Sequence, residues 1–406
     1  MGYKKDVIKG ISWLGFFRIL TRAMSFIRIA IIARILTPQQ FGIYSVATIV
    51  LAFIEMLTET GINIFLIQRK DAIDKYIDTA WVTSIIRGIL ISLVIFLSAP
   101  FVAQFYNSEE VTLLISLASL VPLIRGFINP SIVKFIKELQ FRQEFIYRTS
   151  IFAVESIVSV IIVFLLSNPA GLIFGLIAGA LFEVIFSFIL VKPRPYLKFK
   201  MVLFKEVIQK GKWFTGAGIL SYMYNHGDDA VVGKLLGTGS LGLYDMAYRI
   251  SILPITEVSD VIVKATFPVY VKMSEDLQRV KRAYLKSVLL ICAIVIPIGI
   301  VLFLFPKEII TLILGDQWID AANVLQVLTI FGIVQAISAS IVAPLYTYEK
   351  QNMVIFLSLT NLLGMGVTIV PFISIFGLIG AGYAVLFGAI LALPISIYFF
   401  NTLFKK

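Results

Sequence analysis

Long uninterrupted apolar runs are the feature that most limits how this chain can fold. Two of them are GILISLVIFLSAPFVAQF (88–105) and SVLLICAIVIPIGIVLFLF (287–305). A helix of about 20 apolar residues crosses the roughly 30 Å hydrocarbon core of a bilayer and satisfies its own backbone hydrogen bonds there. The whole chain is 59% hydrophobic and 15% charged, whereas soluble domains carry about 25% charged residues. The sequence therefore predicts an all-α polytopic membrane protein.

Twelve membrane-spanning helices are predicted from these runs. The stretch 306–320 is too short to cross again and is predicted to be a re-entrant or interfacial turn. The first span contains internal arginines and no cleavage site follows it, so it is predicted to be an uncleaved span rather than a signal peptide. The predicted spans are residues 11–35, 41–66, 80–104, 111–133, 149–167, 170–191, 212–235, 240–266, 287–305, 321–346, 353–373 and 378–401.

Positive charges are distributed asymmetrically between the connections. Outside the spans, 26 Lys and Arg fall on one side and only Lys307 on the other. By the positive-inside rule, the basic side and both termini are predicted to be cytoplasmic, with the protein in the cell membrane. Topology thus accounts for the net charge of +11, and no nucleic-acid partner is predicted.

Cysteine and histidine are too rare for a metal site built from them. The chain has one of each, Cys292 and His226, and Cys292 lies inside an apolar run. This excludes a disulfide framework and a multi-histidine metal site. No cofactor is predicted, except that H⁺ or Na⁺ could be a coupling ion.

The stretch GKLLGTGSLGLY (233–244) has the G-x-G-x-x-G spacing of a nucleotide-binding loop. That fingerprint is informative only between a strand and a helix, whereas this stretch joins two predicted spans on the outer side. It is therefore predicted to be a tight turn between helices.

An internal repeat relates the two halves of the chain. AIIARILTPQQFGIYSVA (30–47) matches AVVGKLLGTGSLGLYDMA (230–247) at an offset of 200, with identities that include Tyr44 and Tyr244. Six spans per half is an even number, so both halves enter the membrane from the same side. The halves are then related by a pseudo-twofold axis along the membrane normal. The sequence therefore predicts two six-helix lobes, residues 1–200 and 201–406, around a cleft suited to alternating access.

Ionisable residues inside spans are costly and indicate a lumen or conduction path. The predicted spans of the N-terminal half hold six basic and four acidic residues, and those of the C-terminal half two and five. The N-terminal lobe is therefore expected to bind an anionic substrate, because guanidinium groups donate paired hydrogen bonds to phosphate. Tyrosines are candidates for stacking on sugar rings. The candidate substrate-binding residues are Arg18, Arg22, Arg28, Arg125, Arg249, Tyr222 and Tyr224.

Acidic residues within the spans are candidates for gating or ion coupling. Glu55 and Glu59 lie one turn apart on one face, and neutralising first-span arginines is an equally open role for them. Arg28 and Asp228 are repeat-equivalent and opposite in charge, so they are predicted to pair when an outer gate closes. Snorkelling to the interface is the alternative for Arg34, Lys234 and Arg87. The candidates are Glu55, Glu59, Asp228, Asp229 and Asp245.

Two segments resemble a known family. They are LGFFRILTRAMSFIRIAIIARILTPQQFGIYSVA (14–47) and DAVVGKLLGTGSLGLYDMAYRISILPITEVSDVIVKATFPVY (229–270), the latter followed by EDLQRVKRAYLKSV. They are similar to the polysaccharide-export flippases of the multidrug/oligosaccharidyl-lipid/polysaccharide superfamily, and most of all to the O-antigen, colanic acid and teichuronic acid exporters. The resemblance implies a V-shaped, two-lobed transporter of twelve or fourteen spans. Its implied partners are a polyprenyl-pyrophosphate oligosaccharide, membrane lipid and glycan polymerase machinery.

The resemblance also implies a role for first-span arginines, which here are Arg18, Arg22 and Arg28. This chain departs from the fourteen-span members because it has no clear thirteenth and fourteenth spans. A cation-coupled multidrug exporter of the same superfamily is the alternative function. A membrane sugar polymerase or ligase would need a long outer loop with catalytic residues, and the outer links are short, so no catalysis is predicted.

Overall fold

The computed structural model describes residues 20–57, 66 and 73–405, without the side chains of residues 202, 203 and 205–221. These residues form helices and their connections, and contain no strand. In chain order the helices are α1 (20–33), α2 (Pro38–Leu57), α3 (Asp74–Tyr106), α4 (Glu110–Arg125), α5 (Pro130–Lys137), α6 (Phe141–Leu166), α7 (Ala170–Leu190), α8 (201–236), α9 (238–272), α10 (Leu277–Leu304), α11 (Pro306–Ile313), α12 (Ala322–Ala339), α13 (Val342–Thr347), α14 (Gln351–Phe376) and α15 (Leu378–Leu403).

The predicted all-helical membrane class is confirmed. Among the described residues, eight helical segments are long and apolar enough to cross a membrane, and α4 with α5 makes a ninth if the pair is one broken span. The stretch predicted to be a re-entrant or interfacial turn contains the short helix α11 and a 3-10 helix, Asp316–Ala321. Twelve spans in two lobes stay a prediction.

Several helices begin earlier than hydropathy indicates. Helix α3 begins at Asp74, α6 at Phe141 and α10 at Leu277, which is six to ten residues before the predicted spans. A helix continues through polar turns as long as its backbone hydrogen bonds are made, whereas an apolar run ends at the edge of the hydrocarbon core. The two extra turns of α6 place Arg148 in the helix rather than in the link to which hydropathy assigns it.

The chain forms two compact units, Met1–Tyr222 and Met223–Lys406. In the first unit, the turn between α1 and α2 is a capping box, in which Gln40 N–H donates to Thr37 Oγ1 (3.3 Å) and Thr37 N–H donates to Gln40 Oε1 (2.9 Å). In the second unit, the repeat-equivalent turn between α8 and α9 is made by Gly237, with φ 83° and ψ 173°. The glycine-rich stretch is therefore a turn between helices, as predicted.

A row of glycines on α7 lets this helix pack closely against α6. A Cβ atom on Gly171 would lie 2.7 Å from Val163 N, one on Gly175 1.9 Å from Ser159 Oγ, and one on Gly179 3.1 Å from Glu155 Cβ. Small residues at every fourth position allow helix backbones to approach in a membrane. This packing fixes the position of Glu155 on α6.

Replacing Gly175 by alanine is expected to lower the free energy of unfolding by about 1–3 kcal/mol, because the new methyl group has no room between the two helices. Gly366→Ala is the matched control, since that glycine lies in α14 and a methyl group added to it would meet nothing within 4 Å. The control is expected to be neutral or to stabilise by up to about 1 kcal/mol. Chemical denaturation of both purified variants in mild detergent measures the difference; equal stabilities would contradict the close packing.

Candidate functional site

The fourth predicted span is broken, which corrects the expectation of one continuous helix over 111–133. Helices α4 and α5 meet at an angle of 75°. A Cβ atom on Gly88 of α3 would lie 2.5 Å from Pro122 O and 3.1 Å from Gly126 Cα, so α3 and the end of α4 are in backbone contact. Irregular backbone at membrane depth is tolerated only where it is buried in protein or lines a cavity.

Asn129 holds the break in place. Its side chain is fully buried; Oδ1 accepts from Ser131 N–H (3.0 Å) and Nδ2 donates to the carbonyls of Val191 and Pro193 (3.3 Å each). Its backbone N–H donates to Ser187 Oγ (3.0 Å). The side chain therefore caps the Ser131 N–H at the start of α5 and ties the break to the residues that follow α7.

A cavity of about 650 Å³ opens beside the break, within the first unit. Its wall includes Gly126, Ile128 and Pro130 of the break. Its wall also includes Phe135, Ile136 and Glu144, which lie in the stretch 134–148 that the charge distribution predicts to be cytoplasmic. Three arginines, three glutamates and a tyrosine line it: Glu55, Arg87, Arg125, Glu144, Tyr147, Arg148 and Glu183.

Arg125, the last residue of α4, lies between two carboxylates of other helices. Its Nη1 is 3.9 Å from Glu55 Oε1 of α2, and its Nε is 3.5 Å from Glu183 Oε2 of α7. Neither contact has hydrogen-bond geometry, and Arg125 Nε is buried without a hydrogen-bond partner among the described residues. A guanidinium group held by long ion pairs keeps N–H donors available to an anion in the cavity.

The other two arginines of the cavity donate to glutamate residues that also line it. Arg87 of α3 donates from Nη2 to the backbone carbonyl of Glu55 (2.8 Å), and snorkelling to the interface stays the alternative interpretation of this residue. Arg148 Nε donates to Glu144 Oε1 one turn earlier on α6 (2.9 Å). The three guanidinium groups are thus positioned by α3, α4 and α6, and the glutamates neutralise them.

The arginines of α1 lie in two different environments. Arg28 Nη1 donates to Glu155 Oε1 of α6 at 2.6 Å, with both side chains 13% exposed. Arg22 is exposed. Arg18 and Glu59, also candidates, lie outside the described residues.

A second polar cluster lies in the second unit, around Tyr224 and Asp228 of α8. Gln335 Nε2 and Asn361 Nδ2 donate to Tyr224 Oη (3.3 and 3.1 Å), and Tyr244 Oη donates to Asp228 Oδ2 (2.7 Å). The cluster surrounds a cavity of about 20 Å³, which is room for about one water molecule or small ion.

The remaining candidates have local partners. Arg249 Nε donates to Asp245 Oδ1 one turn earlier on α9 (2.9 Å). Asp229 Oδ2 lies 3.3 Å from His226 Nδ1. In the first unit, Tyr222 Oη donates to the carbonyl of Ile49 (2.6 Å). The predicted pairing of Arg28 with Asp228 concerns both units and stays a prediction; within their own units they contact Glu155 and Tyr244.

Sequence reasoning brought Arg125 and Glu55 forward but missed most of the cavity. It assigned Arg148 to a link and gave no role to Glu144, Tyr147 and Glu183. The available signal was the spacing on α6, where Glu144 and Arg148 are four residues apart and share a helix face. No local signal brings Glu183 to the same cavity, because it lies 58 residues after Arg125 along the chain.

Comparison with known proteins identifies a family and relatives whose descriptions all name the biosynthesis of a polysaccharide or related cell-surface polymer. The model of a family described as "Polysaccharide biosynthesis protein" matches residues 31–323. The chain is similar to the lipopolysaccharide biosynthesis protein WzxC of Escherichia coli strain K12, with 23% identity over 83% of this chain and 69% of that protein. It is similar to the teichuronic acid biosynthesis protein TuaB of Bacillus subtilis strain 168, with 21% identity over 82% of this chain and 69% of that protein.

Two solved structures show the fold. The lipid II flippase MurJ in an inward closed conformation superposes with a TM-score of 0.77 at 14% identity, covering 95% of this chain and 86% of that chain. An inward-facing multidrug resistance MATE family transporter of the MOP superfamily superposes with a TM-score of 0.72 at 16% identity, covering 95% and 96%. The described helices therefore have the fold shared by MurJ and MATE transporters.

Proposed function

The chain belongs to the polysaccharide biosynthesis protein family, and from that membership we propose that it is a flippase for a polyprenyl-pyrophosphate-linked oligosaccharide. It moves this lipid from the inner to the outer leaflet of the cytoplasmic membrane by alternating access, with both termini cytoplasmic. The observation that carries the proposal is the cavity beside the break, which is lined by three arginines, two of them (Arg87 and Arg125) within predicted spans. Fixed cations within a membrane suit a diphosphate better than a neutral lipid.

In this proposal the diphosphate enters the cavity and receives hydrogen bonds from Arg87, Arg125 and Arg148. Glu55 and Glu183 hold Arg125 while the cavity is empty, because an uncompensated guanidinium group in a membrane is costly. The diphosphate takes their place at Arg125, so the charge of the arginine is balanced in both states. The chain needs no catalytic group for this work, in keeping with a family of transporters.

Energy coupling is proposed for the polar cluster of the second unit, where Asp228 is 4% exposed beside a cavity of about 20 Å³. A buried carboxylate there can bind H⁺ or Na⁺. Asp228→Asn keeps an oxygen for the Tyr244 hydroxyl but removes the charge. In liposomes, a gradient of one pH unit is worth about 1.4 kcal/mol per proton and raises the wild-type rate by up to about tenfold.

The Asp228→Asn variant is expected to flip at a rate that does not respond to the H⁺ or Na⁺ gradient. The control is Asp260→Asn, which removes an exposed carboxylate paired with Lys264 and is expected to keep the response. A wild-type rate that ignores both gradients would exclude coupling, and flipping would then follow the substrate gradient alone.

The test of the proposed function is flipping of a fluorescent polyprenyl-pyrophosphate glycan in liposomes containing the purified chain. Accessibility of the glycan to an external reagent reports the outer leaflet. We expect flipping of the diphosphate-linked lipid and no export of a cationic dye. Dye export without lipid flipping would instead favour the multidrug exporter. The polysaccharide biosynthesis relatives do not favour that alternative.

A further inference from the structure

Helix α6 carries charged side chains along one face, from the cavity into the predicted fifth span (149–167). Arg148 lines the cavity, and Glu155 follows seven residues later on the same face, with Phe152 between them. Seven residues at 1.5 Å each separate the two positions by about 10 Å along the helix axis. The Arg28–Glu155 pair therefore lies two helical turns beyond the cavity.

The pair is tightly built. The hydrogen bond from Arg28 Nη1 to Glu155 Oε1 is 2.6 Å long, whereas the two ion pairs of Arg125 are 3.5 and 3.9 Å. The guanidinium carbon of Arg28 lies 5.2 Å from the centroid of the Phe152 ring, a cation–π contact. On the other side, Gly179 of α7 leaves just enough room for the Glu155 side chain. Three helices thus hold one arginine against one carboxylate.

We propose that Arg28 and Glu155 form a second anion-binding station on the path of the diphosphate, and that Glu155 is the residue that releases the anion from it. This proposal rests on the proposed function. The diphosphate leaves the cavity arginines, displaces Glu155 from Arg28, and departs when the carboxylate returns. Binding that is too tight at an intermediate station slows transport. An enzyme likewise gains no catalytic rate from binding its substrate as tightly as its transition state. An internal competitor of the same charge as the cargo weakens that binding.

The first test measures binding of inorganic pyrophosphate to the purified full-length chain in detergent, by isothermal titration calorimetry. Glu155→Gln removes the competing charge and is expected to lower the half-saturating pyrophosphate concentration about tenfold. In the double variant Arg28→Gln/Glu155→Gln this tightening is expected to disappear, which separates the station from the cavity. Asp260→Asn, an exposed carboxylate with its own lysine partner, is the charge-matched control and is expected to bind as the wild type does.

If Glu155→Gln does not fold, Glu155→Asp replaces it in the same titration. The aspartate keeps the charge but is one methylene too short for the 2.6 Å hydrogen bond, so a smaller tightening of about threefold is expected. Wild-type affinity in whichever variant folds would overturn the proposal, and so would a tightening that persists without Arg28.

Transport kinetics provide a second measurement, and a variant with a damaged fold would not give the expected change in it. In the liposome assay, Glu155→Gln is expected to lower KM and kcat together, because the anion binds more tightly and leaves more slowly. Pyrophosphate binding does not depend on flipping, so the two proposals can fail separately. A wild-type chain that flips no diphosphate-linked lipid, yet shows Arg28-dependent tightening in Glu155→Gln, would refute the proposed function and leave the anion station standing.

Discussion

Replacing Arg125 by alanine is expected to lower the flipping rate of a polyprenyl-pyrophosphate glycan about 100-fold, equivalent to about 3 kcal/mol. Arg125 is the cavity arginine whose guanidinium group lies between two carboxylates at 3.9 and 3.5 Å, and its side chain is 36% exposed, so its Nη groups are expected to donate to a diphosphate. Arg125→Lys keeps the charge but loses the planar pair of donors, and an intermediate loss of about tenfold is expected.

The matched control for Arg125 is Arg282→Ala, which removes an exposed arginine of α10 and is expected to leave the rate unchanged. Thermal stability is measured for each variant alongside transport. A wild-type rate in Arg125→Ala would remove the cavity from the mechanism. A loss of rate that parallels a loss of folded protein would assign Arg125 a purely structural role, and the flipping proposal would need another site.

Replacing Asn129 by leucine is expected to lower the free energy of unfolding by about 3 kcal/mol or more. Leucine has a similar size but leaves the Val191 carbonyl and the Ser131 N–H without the Asn129 side chain as a partner, and the Pro193 carbonyl keeps only the Ser131 hydroxyl. The break then loses the side-chain hydrogen bonds of residue 129 to the end of α7 and keeps those of its backbone N–H and of Ser131 Oγ. Denaturation in mild detergent measures the stability, and pyrophosphate titration reports whether Arg125 keeps its position.

Asn352→Leu is the control for Asn129, because Asn352 is exposed near the start of α14. Its replacement is expected to change the stability by less than about 0.5 kcal/mol. Equal stabilities of the two variants would mean that the break at residues 126–129 does not depend on the side-chain hydrogen bonds of Asn129.

The sequence predicts the helices well because the pattern that indicates each helix lies within the residues of that helix. Apolar runs identify the membrane segments, and the glycines near residue 237 identify the turn between α8 and α9. The break between α4 and α5 is different. Gly126 and Pro130 are visible as local helix breakers, but they lie inside an apolar run that favours one continuous span. The partners that stabilise the break are residues 187–193, about 60 positions later.

The site was predictable only in part for the same reason. Arg125 and Glu55 are conspicuous because they are charges within apolar runs, and an intramembrane charge is informative by itself. Arg148 lies in the polar first turns of α6, where hydropathy predicts a link. Pairing is a property of the folded helices, so Glu155 as the partner of Arg28 and Glu183 as a neighbour of Arg125 could not be deduced from either residue alone.

The Arg28–Glu155 contact also bears on how the chain is made. Its two residues are 127 positions apart, so at about 5–20 residues per second the ribosome needs about 6–25 s between them. During that interval α1 has left the translocon with an arginine whose eventual counter-ion has not been synthesised, and each central arginine opposes insertion by about 2.5–3.5 kcal/mol. We therefore expect the first helix to settle fully into the bilayer only after the helix carrying Glu155 has emerged.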